Sequence, residues 1–318
     1  MSAVSGSLIF TATMPVALLL GTGYALRKRG VVDEQLRSGM MNLVIWVFFP
    51  ALVLSKVSHN EALKDDAVAV FAPLAGFLSL AAGYAISRIF AGVGGADTPE
   101  RRRAFVYTTG NYNYGYLAIP VSTALYGPDS VAVLLLFNVG IELCLWTLGL
   151  VLLSGKLDRD AWKRIFNPIT IAMIVAMILN RAGLADHTPK FVFSFADMLG
   201  ACAIPCGLLL IGMALPALLD GFRARHDLRI TVSSVLLRNG LIPACFVLAA
   251  LFLGLPPEVS RILLLQAAMP AALLPSVMCQ HYGQAPQVSL RIAVATTLAG
   301  VATLPAWLWL GGRLAHAG

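Results

Sequence analysis

Ten apolar stretches, each long enough to cross a bilayer as a helix, follow one another along this chain with only short polar connections between them. They run about 4 to 26, 36 to 56, 67 to 90, 104 to 125, 130 to 154, 166 to 185, 190 to 218, 229 to 253, 259 to 282 and 287 to 311. A hydrocarbon core of about 30 Å takes roughly 20 apolar residues to cross, and lipid offers no partner to an unpaired backbone group. The pattern predicts an all-α membrane protein of ten transmembrane helices, with the lipid bilayer as its surroundings. Charged residues make up 12% of the chain, against about 25% in soluble domains. No connection is long enough for a soluble domain, which excludes an enzymatic appendage. The formal net charge of +7 sits at helix ends, not on one soluble face, so no nucleic acid is expected as a partner.

Lysine and arginine set the orientation. Arg27, Lys28, Arg29 and Arg37 follow the first span, Arg88 and Arg101 to Arg103 the third, and Lys156, Arg159, Lys163 and Arg164 the fifth. Summed over alternate sides, the count is sixteen against six, and basic connections stay cytoplasmic. The expectation is a multi-pass protein of the cell membrane with both termini on the non-cytoplasmic side. Residues 1 to 7 carry no basic side chain, so the first span is expected to be retained and not cleaved as a signal. Cys144, Cys202, Cys206, Cys245 and Cys279 fall within spans without a metal-binding spacing and are expected to pack. There is no Ser-His-Asp set, HExxH, Walker loop or histidine cluster, so the chain reads as a non-enzyme that needs no cofactor.

Two spans are interrupted. The fourth contains Gly110-Asn111-Tyr112-Asn113-Tyr114-Gly115-Tyr116-Leu117-Ala118-Ile119-Pro120, and the ninth contains Met269-Pro270-Ala271-Ala272-Leu273-Leu274-Pro275. Such breaks free backbone groups and survive in a membrane only where they line a polar cavity. Paired broken helices in corresponding places of two halves point to the binding site of a secondary transporter.

The halves match elsewhere too. Pro15 and Gly30 are spaced like Pro168 and Gly183; Pro50 and Pro205, and Pro120 and Pro275, are each offset by 155; Tyr126-Gly127 answers Tyr282-Gly283 at 156. A duplication of about 155 residues divides the chain into 1 to 155 and 156 to 318. Each unit has five spans, an odd number, so the second is threaded upside down: two inverted five-helix repeats. Lys156 to Arg164 reads as the amphipathic join between them.

Half-helix N-termini carry partial positive charge and donate hydrogen bonds, so a carboxylate is stabilised there. The expected substrate contacts are Asn111, Asn113, Tyr114, Gly115 and Pro120 at the first break and Pro270, Leu274 and Pro275 at the second. The expected cargo is a small organic anion. The plainer alternative is that the asparagines only cap helix ends. Tyr112, Tyr114 and Tyr116 alternate, so they lie on one side of an unwound backbone or form an interfacial belt. Glu142 lies near the centre of the fifth span, where an unpaired carboxylate costs about 3 kcal/mol or more. It is the candidate for coupling to Na⁺ or H⁺; the alternative is a packing hydrogen bond to Asn42 or Asn138. Asp197 is expected to reach headgroup water, Arg238 to snorkel to the cytoplasmic end or else to face substrate, and Met269 and Met278 to pack.

Asn113-Tyr-Gly115-Tyr-Leu-Ala118-Ile-Pro120 resembles the Asn-x-Gly-x-x-Gly-x-Pro signature of the auxin efflux carrier family, within the bile acid, auxin and arsenite transporter superfamily. Leu125-Tyr126-Gly127, Phe49-Pro50-Ala51-Leu52, Trp146 and Asn167-Pro168 also fit, and Pro270 through Pro275 with Tyr282-Gly283 is similar to the plant PIN-type carriers. The resemblance implies a scaffold of helices 1, 2, 6 and 7 and a transport unit of helices 3 to 5 and 8 to 10, with helices 4 and 9 crossing at Pro120 and Pro275. It further implies an elevator-type movement of a small carboxylate, a homodimer through the scaffold, and a substrate contact at Asn113. Ala118 departs from the family's Gly, and Glu142 stands where plant relatives tend to have a neutral amide.

Overall fold

In the computed structural model the described residues are 6 to 156, 164 to 222 and 227 to 317. Residues 157 to 163 of the expected amphipathic join lie outside them. The helices, in chain order, are α1 (Gly6–Lys28), α2 (Glu34–Val57), α3 (Asp66–Phe90), α4 (Pro99–Gly110), α5 (Ala118–Tyr126) and α6 (Ser130–Ser154), then α7 (Pro168–Arg181), α8 (Lys190–Gly200), α9 (Ala203–Phe222), α10 (Leu228–Phe252), α11 (Pro257–Ala268), α12 (Leu274–His281) and α13 (Pro286–Ala317). Helix occupies every apolar stretch read from the sequence. Six stretches are long and apolar enough to cross a membrane: α2, α3, α6, the run Lys190–Pro216, α10 and α13. The fourth and ninth are split, α4 from α5 and α11 from α12.

Prolines explain much of the departure from straight rods. The seventh stretch is not one helix, as the hydropathy suggests, but turns at Ala201 and Cys202 between α8 and α9. Pro205 has no N–H to return to the carbonyl of Ala201, four residues back, so the helix opens there. The same missing donor accounts for two wide π-turns. Val44–Phe48 precedes Pro50 in α2, and Leu237–Leu241 precedes Pro243 in α10. The carbonyl that Pro243 cannot serve is that of Asn239, and the indole Nε1 of Trp307 donates to it at 2.7 Å. A third π-turn, Leu145–Gly149, lies in α6, where the Thr147 hydroxyl bonds back to the Leu143 carbonyl.

Without a hydrophobic force between helices in lipid, close packing needs small residues at the contacts. The pair α1 and α9 meets through Gly23 and Gly212, and α3 and α6 through Gly76 and Gly140. A Cβ on Gly140 would lie 1.7 Å from the Pro73 carbonyl oxygen. The C-terminal half of α2 packs against α7 and α8. There Asn180 of α7 donates to the carbonyls of Val57, Ser58 and Asn60, closing the end of α2. Helices α3, α4, α6, α10, α11 and α13 enclose the main core, with Phe105, Tyr107, Tyr112, Phe137 and Ile141 fully buried in it.

Candidate functional site

The breaks satisfy each other. Tyr112 and Ala271 form an antiparallel bridge, in which Asn113 N–H donates to the Pro270 carbonyl at 2.9 Å and Ala272 N–H to the Asn111 carbonyl at 3.3 Å. Glycine, asparagine and proline stop the helices here, and two freed strands of backbone then pair with one another. The contact brings together the C-terminal ends of α4 and α11 and the N-terminal approaches to α5 and α12.

Side chains from neighbouring helices take most of the remaining groups. The Tyr114 carbonyl accepts from Asn138 Nδ2 at 3.0 Å and from Gln266 Nε2 at 3.2 Å. Ala271 N–H donates to Thr296 Oγ1 at 3.2 Å. On the carbonyl end of α11 lies Arg238, 0% exposed. Its Nε donates to the Met269 carbonyl at 3.0 Å, its Nη2 to those of Gln266 and Ala267 at 3.2 Å, and its guanidinium stands 4.8 Å over the Tyr112 ring. The expectation that Arg238 snorkels to the cytoplasmic end is overturned: ten residues into α10, about 15 Å from its start at 1.5 Å per residue, it is fully buried and takes the carbonyls at the end of α11 instead.

The tyrosines do not form a belt, nor do they share one side. Tyr112 is fully buried with its hydroxyl 2.7 Å from Ser79 Oγ; Tyr114 donates to Glu142 Oε1 at 2.6 Å; Tyr116 packs edge-on against Phe49 of α2. Each turns to a different helix, and the segment between α4 and α5 is buried at Tyr112 and half-buried from Asn113 to Leu117. Glu142 is half-buried, and its other oxygen accepts from Trp146 Nε1 at 2.6 Å. The packing partners considered for it, Asn42 and Asn138, are not those it has: Asn138 is occupied by the Tyr114 carbonyl and Gln266.

Asn113 does cap a helix end, its Oδ1 accepting from Leu117 N–H at 3.3 Å; its Nδ2 has no hydrogen-bond partner among the described residues. Asn111 is 0% exposed and neither of its side-chain polar atoms has a partner. Gly115 stands in open space, with nothing within 4 Å of where a Cβ would sit. Pro120 is half-buried in α5, Pro275 is buried in the first turn of α12, and Leu274 beside it is 43% exposed. The structure therefore gathers Asn111, Asn113, Tyr114 and Pro270 at the bridge and joins Glu142 to them through Tyr114, while Leu274 faces outward. Gln266 and Thr296 escaped sequence reasoning. The signal for Gln266 was a lone amide in the last turn before Met269-Pro270. Asp197 pairs with Lys56 at 2.9 Å at an exposed position, as its place near a span end suggested.

A family model described as membrane transport protein matches residues 8–161 and 157–308. The two matched segments overlap at residues 157 to 161. An uncharacterized transporter of Methanothermobacter thermautotrophicus is 24% identical over 301 residues, covering 92% of this chain and 95% of that protein. Another, from Methanocaldococcus jannaschii, is 21% identical over 308 residues, covering 93% and 96%.

Proposed function

The chain belongs to the membrane transport protein family, and on that premise we propose that it is a secondary carrier of a small organic anion, a carboxylate, held where the two breaks meet. The observation that carries this reading is the bridge between Tyr112 and Ala271. It sets two half-helix N-termini beside amide groups that nothing else engages, Asn111 and the Nδ2 of Asn113. A carboxylate placed there accepts from Asn113 Nδ2 and from the amides leading into α5. Glu142, tied to the same segment by Tyr114, binds the coupling Na⁺ or H⁺.

The reading extends to architecture: ten spans as two inverted five-helix repeats in the cell membrane, both termini outside. Spans 1, 2, 6 and 7 form a scaffold through which two copies pair, and the remaining spans move past it as an elevator. Support comes from the packing of α1 on α9 and of α2 on α7 and α8; this group meets the first break where α1 packs on α5 and where Tyr116 lies against Phe49 and Gly207.

The test is counterflow in proteoliposomes. Saturable uptake of a labelled carboxylate, accelerated by unlabelled carboxylate on the other side, is expected of a carrier; flux without saturation or exchange identifies a channel. Asn113→Ala is expected to raise KM at least tenfold. Unchanged affinity in that variant removes the cargo from this site.

A further inference from the structure

Arg238 and Glu142 are the two charged side chains that lie ten or more residues from both ends of their helices, among the described residues. Neither has a charged partner in hydrogen-bond reach: Arg238 engages three backbone carbonyls and the Tyr112 face, and Glu142 engages Tyr114 and Trp146. They belong to one packed unit, since Arg238 stands over Tyr112, the Tyr112 ring meets that of Tyr114 edge-on at 6.4 Å, and Tyr114 donates to Glu142. One nitrogen of the guanidinium, Nη1, is buried without a partner.

The helix ends at the crossing do not disturb this count of charges. Two C-terminal ends, of α4 and α11, and two N-terminal ends, of α5 and α12, meet there, and their partial charges of about −0.5 and +0.5 each cancel. What remains is one positive charge at Arg238 and one negative charge at Glu142. The ionisable groups that face Glu142 are Tyr107, Tyr114 and Tyr116; Arg164, before α7 begins, lies over the Trp146 ring at 5.5 Å and donates to the Tyr282 hydroxyl at 2.9 Å.

We propose that Arg238 and Glu142 form a charge-matching pair that makes the protein a one-to-one symporter of a monovalent cation with a monovalent carboxylate. The proposal rests on the carrier reading above and deepens it by fixing the charge of the cargo and the stoichiometry. An integer charge is expensive in the hydrocarbon interior. The empty unit, with Arg238 positive and Glu142 negative, is neutral; so is the unit holding one carboxylate near Arg238 and one cation on Glu142. A unit holding the anion alone carries one negative charge, and a unit holding the cation alone one positive charge. Only the empty and the doubly loaded forms cross without a net charge, and coupling follows from that without any further device. A dicarboxylate leaves one negative charge uncancelled and is excluded as a cargo.

The test uses full-length protein in proteoliposomes, with pyruvate and indole-3-acetate as monoanions and succinate as a dianion, under imposed Na⁺, pH and valinomycin–K⁺ gradients. Expected for the wild type is accumulation of a monoanion that follows the Na⁺ or the pH gradient, whichever cation is used, and does not change when a potential is imposed. Glu142→Gln removes the negative charge: accumulation of the monoanion is then expected to ignore both cation gradients and to follow the potential, by about 50-fold per 100 mV for one uncompensated charge. Wild-type uptake that follows the potential, Glu142→Gln uptake that keeps its cation dependence, or uptake of succinate in place of the monoanions overturns the charge matching and leaves the carrier reading standing. Absence of saturable uptake and exchange for every probe overturns the carrier reading and this proposal with it. Arg238→Lys, which keeps the charge, is expected to remain electroneutral; if it becomes sensitive to potential, the charge of Arg238 is not part of the match.

Discussion

At the first break the carbonyl end of α4 is covered by backbone, and at the second the carbonyl end of α11 is covered by a cation. Gly83 of α3 comes so near to Gly110 that a Cβ on it would lie 2.7 Å from the Gly110 oxygen, and a Cβ on Gly110 would lie 2.5 Å from the Tyr84 ring. On α11, by contrast, Arg238 supplies three hydrogen bonds from one side chain. Neutral devices for closing a helix end were available to this chain, as Asn180 shows on the last carbonyls of α2. A charge in place of an amide at the second break is therefore difficult to explain by structure alone. Stability asks only for donors, whereas a carrier of anions also has a use for the charge.

The largest effect is expected where a single side chain carries a whole helix end. Arg238→Met takes a donor from three buried carbonyls; that of Gln266 keeps Met269 N–H at 3.2 Å, and those of Ala267 and Met269 lose the Arg238 bond, at about 1 to 3 kcal/mol each when nothing replaces it. A loss of at least about 2 kcal/mol is expected, read as a sharp drop in melting temperature in detergent, with Arg238→Lys between wild type and the methionine variant. If the methionine variant melts with the wild type, the second break is held by the bridge and Thr296, and the contrast between the breaks disappears. Next comes Gly110→Ala, whose added carbon has to push Tyr84 and its backbone away; overpacking of this kind costs about 1 to 3 kcal/mol. Because it acts by volume and not by charge, Tyr84→Phe, which keeps the ring, is not expected to rescue it.

Hydropathy was enough to place helices in all ten stretches, because burial in lipid leaves a continuous apolar signal that tertiary contacts do not override. The two breaks were legible for the same reason in reverse: helix-breaking and polar residues crowd together there, at Gly110, Asn111, Asn113, Gly115 and Pro120 and again at Pro270 and Pro275. Rotation and depth were not legible. Arg238 looked close to a helix end by residue count from the basic loop, but its side chain points across the bundle to α11, and no pattern within α10 reveals which way residue 238 faces. Glu142 stands midway along α6, yet its partners Tyr114 and Trp146 come from the break and from the next turn of its own helix, and only the fold brings the former within reach. The π-turns before Pro50 and Pro243 follow from a missing N–H that the sequence displays, whereas the one at Leu145–Gly149 has no proline to announce it.

Smaller and more informative are changes to one polar side chain at each break. Gln266→Leu removes a donor from the Tyr114 carbonyl, which keeps Asn138, and from Asn138 Oδ1; Thr296→Val removes the acceptor for Ala271 N–H. Each is expected to cost about 1 kcal/mol. The two sites are connected through the paired backbone between them, so the double variant is expected to depart from additivity by about 0.5 kcal/mol or more. Strict additivity in chemical or thermal denaturation would indicate that the two breaks behave as independent loops that merely touch.

The smallest expected effect on stability belongs to Gly115→Ala, and it separates structure from function at the first break. Gly115 does not lie in the left-handed region and has nothing within 4 Å of the place a methyl group would take, so the change is expected to stay within about 0.5 kcal/mol of the wild type, as a surface substitution does. That same open space lies in front of the amides leading into α5, where the carboxylate is proposed to rest. A methyl group there narrows the approach without disturbing the bridge, the Tyr114–Glu142 bond or Arg238. KM for the transported anion is accordingly expected to rise several-fold while the melting temperature and the dependence on the coupling cation stay put. An unchanged KM would mean that the cargo approaches from the side of the second break, where Arg238 already supplies the charge, and that the open space at Gly115 serves only the movement of the first.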